Sequence, residues 1–160
     1  MEEDAGAPEA VASENALRKA LAAAGGEGEL VLGCDTLVST GLEIWGKPPN
    51  AEAARETLRR LAGRTHLVVS GVALCAGEEV VDAFTATTRV EVRPFDDALL
   101  DWYVGTGEWQ GRAGGYAIQG RGAALVRAVE GDYLNVVGLP VAALLDRRPD
   151  LLRRPAGQGP

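Results

Sequence analysis

Leu30-Val31-Leu32-Gly33-Cys34-Asp35-Thr36 is the stretch on which the reading of this chain turns. A short, continuously apolar run predicts a strand from Leu30 to Cys34 that is buried on both faces, as strands are in sheets covered by helices. Asp35 then stands where that strand ends. In open α/β sheets, ligands sit beyond the carboxyl ends of strands. A carboxylate there can hold a divalent cation or act as a base on water. An aspartate that merely closes the strand in a turn is an equal alternative.

Upstream, Pro8 to about Ala24 is rich in alanine and reads as a helix that Gly25-Gly26 ends. Downstream, Leu42 to Trp45 forms a second extended segment across Ser39-Thr40-Gly41, which predicts a hairpin. Asn50 can then cap a helix whose apolar face is Ala51, Ala54, Leu58 and Leu61, with Gly63 after its end. Thr65 to Ala76 and Glu79 to Arg93 read as two long strands joined by Gly77-Glu78. Asp96 can cap a helix to about Val104, a glycine-rich region runs from Gly105 to Gly122, and Ala123 to Val129 reads as a strand. Pro140 introduces a last helix, Val141 to Arg147. The class expected is α/β, a mixed sheet flanked by helices in one domain over residues 8–152, with loose ends at 1–7 and 153–160.

A chain of 160 residues with 46% hydrophobic content can bury a real core. No apolar run is long enough to cross a bilayer. The opening Met-Glu-Glu-Asp has the wrong charge for a signal peptide, so a cytoplasmic protein away from membranes is expected. Net charge of −7 disfavours a surface that tracks polynucleotide phosphates, but leaves a small phosphorylated ligand open. Cys34 and Cys75 read as small buried hydrophobes, and with His66 as the single histidine they do not make a zinc site.

Beyond Asp35 and its neighbour Thr36, three places can carry chemistry. Lys47, in Gly46-Lys47-Pro48-Pro49, leaves a backbone fixed by prolines just before a helix N-terminus, which suits a phosphate; a solvated loop lysine is the plainer reading. Ala113 to Gly122 is dense in glycine, and Gln119 within it offers the donor and acceptor that a base edge requires. A structural turn is the default there. Asp132 and Asn135 could orient a loop or join a metal shell, with turn roles as an alternative. Trp45, Trp102 and Trp109 read as packing residues.

In this order, Gly-x-Asp-Thr, Gly-Lys-Pro, Leu-Ala-Gly-Arg-Thr-His, Ala-Gly-Gly-Tyr-Ala-Ile-Gln-Gly and Gly-Asp-Tyr-x-Asn-Val-Val-Gly-Leu-Pro resemble the Maf family of nucleoside triphosphate pyrophosphatases. The resemblance runs from about Glu14 to Leu145. It implies an elongated α/β fold related to the inosine triphosphate pyrophosphatases, with a homodimer compatible on the resemblance alone. The reaction implied is hydrolysis of a nucleoside triphosphate to the monophosphate and pyrophosphate with a divalent cation, Mg2+ or Mn2+. By the same resemblance Asp35 matches the catalytic acid and metal ligand, Thr36 a specificity position, Lys19 the lysine of the preceding helix, Lys47 the Gly-Lys-Pro lysine and Gln119 the glutamine of Ile-Gln-Gly. Asp-Thr with Ile-Gln-Gly-Arg-Gly is similar to the branch acting on dTTP and UTP, with modified pyrimidine nucleotides as further candidates.

The family's Ser-x-Ser-Pro-Arg-Arg segment does not occur in these residues, and Glu2, Glu3 and Glu9 do not align with its following glutamate. The expectation is a Maf-like domain without its first strand and arginine loop, through a start placed downstream or through degeneration. Such a domain is a pyrophosphatase with weakened triphosphate binding. The alternatives are a non-catalytic Maf-like protein that binds a nucleotide or a partner, and a plain structural domain. The last would be supported by an Asp35 that is buried and distant from both Lys47 and Gln119.

Overall fold

The computed structural model describes residues 6–23, 26, 28–41 and 43–153. Residues 1–5 and 154–160 of the expected loose ends lie outside the described residues, as do Gly25 of the expected helix stop and Leu42 of the hairpin. The elements in chain order are α1 (Pro8–Ala22), β1 (Leu30–Thr40), β2 (Glu43–Trp45), α2 (Ala51–Leu61), β3 (Thr65–Ala76), β4 (Glu79–Val92), α3 (Asp97–Gly105), β5 (Val126–Glu130), α4 (Tyr133–Val137) and α5 (Val141–Arg147).

The strands form one sheet in the order β2-β1-β3-β4-β5. The α/β class holds, but the sheet expected to be mixed pairs antiparallel at every described junction. Short connections explain two of these junctions: Gly41 and Gly77, with φ of 64° and 59°, turn the chain where β1 meets β2 and β3 meets β4. Antiparallel neighbours can be joined so tightly, whereas parallel ones need a long crossover.

β3, not β1, is the strand buried on both faces, with every residue from Val68 to Cys75 inaccessible. It lies at the centre of the sheet. β1 runs well past Cys34, and Leu30 and Leu32 are each 39% exposed. Among the described residues its outer side is an edge over residues 30–37, because β2 pairs with it only at Val38–Thr40. Asp35 accordingly lies in mid-strand, opposite Gly71 of β3, and not at a strand end.

α1 covers one face of β1 and β3 through a stripe of Ala12, Ala16 and Ala20, all fully buried. The approach is close because two glycines lie beneath it. A Cβ on Gly33 would lie 2.1 Å from the carbonyl oxygen of Ala16, and one on Gly71 2.3 Å from that of Ala12. Helix backbone therefore rests on strand backbone. On the opposite face, Val38, Val68 and Val90 meet Leu58 and Leu61 of α2 and Leu100 and Tyr103 of α3 in the main core. The expected caps form: Asn50 Oδ1 accepts from Ala53 N–H at 2.8 Å and Asp96 Oδ1 from Leu99 N–H at 2.9 Å.

Two further expectations are corrected. The strand expected at Ala123–Val129 divides into a 3-10 turn, Arg121–Leu125, and β5, since small residues give that segment little strand character. Asp132 and Asn135, expected in a loop, a metal shell or a turn, belong to α4, which Asp132 caps through its Oδ1, accepting from Leu134 N–H at 2.8 Å. Trp109 packs in the core as expected, whereas Trp102 is 48% exposed on α3.

Candidate active site

Side chains alternate along β1, so Val31, Gly33 and Asp35 face α1 while Cys34, Thr36 and Val38 face the other way. Because the strand's outer edge is open at these positions, residues of both faces reach one cavity of about 270 Å3. Lys19, Asp35, Thr36, Lys47 and Gln119 all line it. The condition for a plain structural domain, Asp35 remote from Lys47 and Gln119, is not met.

Both oxygens of Asp35 are held from α1. Lys19 Nζ donates to Oδ1 at 2.6 Å and Asn15 Nδ2 to Oδ2 at 2.9 Å. The two donors stand four residues apart, one helical turn, on the side of α1 that meets β1. Lys19 also donates to the Cys34 carbonyl at 3.1 Å. An ammonium has three N–H bonds, so one remains for a ligand. The Asp35 side chain is 16% exposed and that of Lys19 57%, which places their pair at the cavity edge.

Thr36 is committed within the protein. Its hydroxyl donates to the Gly138 carbonyl at 3.2 Å and shares a 2.8 Å hydrogen bond with Ser70, whose hydroxyl is then the donor. Cys34 donates to the same carbonyl at 3.3 Å, and burial pushes its thiol pKa up, against a reactive role. Gly138, at φ 136°, ends α4 and turns its carbonyl to both side chains.

The far wall comes from the glycine-rich region. Gly114 N–H donates to the Gly46 carbonyl at 3.1 Å, stitching this wall to the Lys47 loop. Gly114 has φ 69°, and a Cβ there would meet Val38 at 3.0 Å, so the turn needs glycine. Glu108 organises the next turn. Its carboxylate accepts from Arg121 N–H at 2.9 Å, Gly122 N–H at 2.8 Å and the Tyr103 hydroxyl at 3.1 Å. Desolvation pushes the Glu108 pKa up, but these donors outweigh it and hold it below the usual carboxylate range. Gln119 lies just before this fixed point and is exposed.

Sequence reasoning missed three residues. Asn15 is signalled by its spacing from Lys19, Arg112 is a cation beside Gly114 that lines the cavity, and Glu108 had no local signal. Asp132 and Asn135 do not line the cavity. Asp132 caps α4, while the buried Asn135 amide donates to Val68 O at 3.1 Å and Thr88 Oγ1 at 3.0 Å.

The profile of the family described as Maf-like protein matches residues 1–148, nearly the whole chain. This chain belongs to that family. Similar proteins include a dTTP/UTP pyrophosphatase of Pyrococcus furiosus, 43% identical over 117 residues that make up 73% of this chain and 61% of the relative. One of Symbiobacterium thermophilum is 45% identical over 138 residues, 86% of this chain and 71% of the relative. A third, of Anaeromyxobacter dehalogenans, is 51% identical over 128 residues, 75% of this chain and 65% of the relative. The matches thus span about three fifths to seven tenths of the length of these Maf-like relatives. Among the described residues, no helix is long and apolar enough to cross a membrane.

Proposed function

We propose that this chain binds pyrimidine nucleoside triphosphates, dTTP and UTP first among them, and hydrolyses them to the monophosphate and pyrophosphate. One observation carries the reading: a carboxylate held at both oxygens, Asp35, shares a cavity with the cations Lys19 and Lys47 and with Gln119. The relatives' names supply the substrates.

Asp35 is the base in this reading. Held in one rotamer by Asn15 and Lys19, its carboxylate keeps further lone pairs that can take a proton from water attacking the α-phosphorus. Lys19, with its spare N–H, and Lys47 offset charge on the phosphates. Gln119 reads the pyrimidine edge with its amide, where a lost contact costs a large discrimination factor. Thr36 acts as a specificity position by fixing the Gly138 carbonyl and the wall around it. These residues all fall within the single domain proposed over residues 8–152.

A divalent cation, Mg2+ or Mn2+, fits this donor set only if it comes in on the triphosphate. Asp35 is the one carboxylate among the lining residues, and among the described residues no three His, Cys, Asp or Glu side chains are grouped to hold an ion. Magnesium is commonly bound in this way, by one or two carboxylates together with substrate phosphates. Asp35 would be its protein ligand, and the ion would supply neutralisation of phosphate charge.

The test is pyrophosphate release from dTTP and UTP, with magnesium and with manganese. Asp35→Asn keeps the shape and removes the base, and kcat should fall by about a thousandfold. An unimpaired variant would refute the role of Asp35. Nucleotide binding without release by the wild-type chain would favour a non-catalytic binding protein.

A further inference from the structure

We propose that Arg112, with Lys47, forms the seat for the two phosphates that leave as pyrophosphate; this rests on the cavity being a triphosphate site. Arg112 comes from the glycine-rich wall, two residues before Gly114, and Lys47 directly follows Gly46. The Gly114 N–H to Gly46 carbonyl bond, 3.1 Å, joins the two segments. A Cβ on Gly115 would lie 3.2 Å from Pro48, so the segments also touch beyond that bond. Two cations are thereby brought to one stretch of cavity wall.

Among the described residues, neither takes part in an ion pair. Most other arginines do: Arg55 pairs with Asp101, Arg59 with Asp97, Arg60 with Glu56 and Arg147 with Asp82. In a chain of net charge −7, partners for a cation are plentiful. Two like charges on one cavity wall without one repel each other until an anion binds there.

The division of labour follows from the opposite wall. Lys19 is tied to Asp35 and the Cys34 carbonyl, so its remaining N–H serves the phosphate next to the base. Lys47 and Arg112 have no ion-pair partner among the described residues and carry the outer phosphates. A guanidinium presents a planar fork that grips phosphate oxygens in pairs, which a lysine does not. After cleavage the product at this wall is pyrophosphate, and the monophosphate stays with Gln119 and Asp35.

Calorimetric titration of the chain with inorganic pyrophosphate, and separately with dTMP, tests this without relying on turnover. Arg112→Ala should weaken pyrophosphate binding about tenfold or more and leave dTMP within about twofold, with Arg112→Lys restoring part of the loss. Arg112 is exposed, so both variants should melt where the wild type does. No pyrophosphate binding by the wild type, an unchanged Arg112→Ala, or an equal loss for dTMP would each overturn the proposal. Pyrophosphate binding that depends on Arg112, in a chain that releases nothing from dTTP or UTP, would instead overturn the hydrolase reading and leave the anion seat standing.

Discussion

The two walls of the cavity are built on opposite principles. On the wall built on β1 and α1 each polar group has a partner inside the protein: Asp35 is held by Asn15 and Lys19 of α1, and Thr36, on the other face of β1, by Ser70 and Gly138. On the side made by Gly46–Pro48 and residues 111–119, the backbone is fixed by Gly114, Gly115 and Glu108, but Lys47 and Arg112 have no charge partner among the described residues. A base benefits from a fixed position before substrate arrives, because misplacement is costly in rate. Cations meant for a ligand must keep their donors unspent. Preorganisation on one wall and unmet charge on the other therefore belong to a single task.

The most damaging way to break the contrast is to lift α1 from the sheet. Gly33→Ala would drive a methyl into the Ala16 carbonyl, 2.1 Å away, and the helix must yield. Asn15 and Lys19 would move off Asp35 while every polar side chain remained. We expect kcat to fall about a hundredfold, with a lowered melting temperature. Wild-type turnover in this variant would show that the α1 wall does not need its close seat.

A milder change sharpens the contrast. Asn15→Ala removes one donor from the carboxylate and touches no cation of the far wall. A hydrogen bond to a charged group is the stronger kind, and kcat should drop about tenfold with KM for dTTP nearly unchanged. A change confined to KM would move Asn15 from the base wall to the binding wall.

The effect with the least reach into turnover is one of pH on stability, and it lies behind the far wall. His66 is buried, shares a 2.8 Å hydrogen bond with Tyr116 of the cavity lining, and is pulled by desolvation from 6.5 down to about 4. Between those values the unfolded chain takes up a proton that the folded chain refuses. Stability is thus full above pH 6.5 and declines as pH falls toward 4, by about 3 kcal/mol in all. Denaturant midpoints measured across that window should slope for the wild type and flatten in His66→Gln. Equal slopes would place the acid sensitivity elsewhere.

Local signals made much of this legible. The caps at Asn50 and Asp96, and the extent of β3, could be read from side-chain pattern because each depends on neighbours in sequence. The strand carrying Asp35 could not be bounded in that way. An apolar run shows that a segment is extended, but where pairing stops depends on β2 and β3, which lie elsewhere in the chain. The five residues expected at the site share one cavity, and it was the resemblance of the motifs to the Maf family, not local pattern, that picked them. Asn15 was not picked because its importance arises only once Gly33 lets α1 lie against β1. Glu108 holds a turn thirteen residues away, a distance no local pattern spans.

Gly33 and Gly71 carry no polar atom in a side chain, touch no ligand and lie beneath a helix, yet they set how far the donors of α1 stand from Asp35. On the proposed reading, the calibration of Asp35 as base is thus stored in two missing carbon atoms. A glycine codon becomes an alanine codon by one base change, among the mildest replacements by chemical class. In this protein it would detune the reaction centre while an inventory of its charged and hydrogen-bonding residues read as intact.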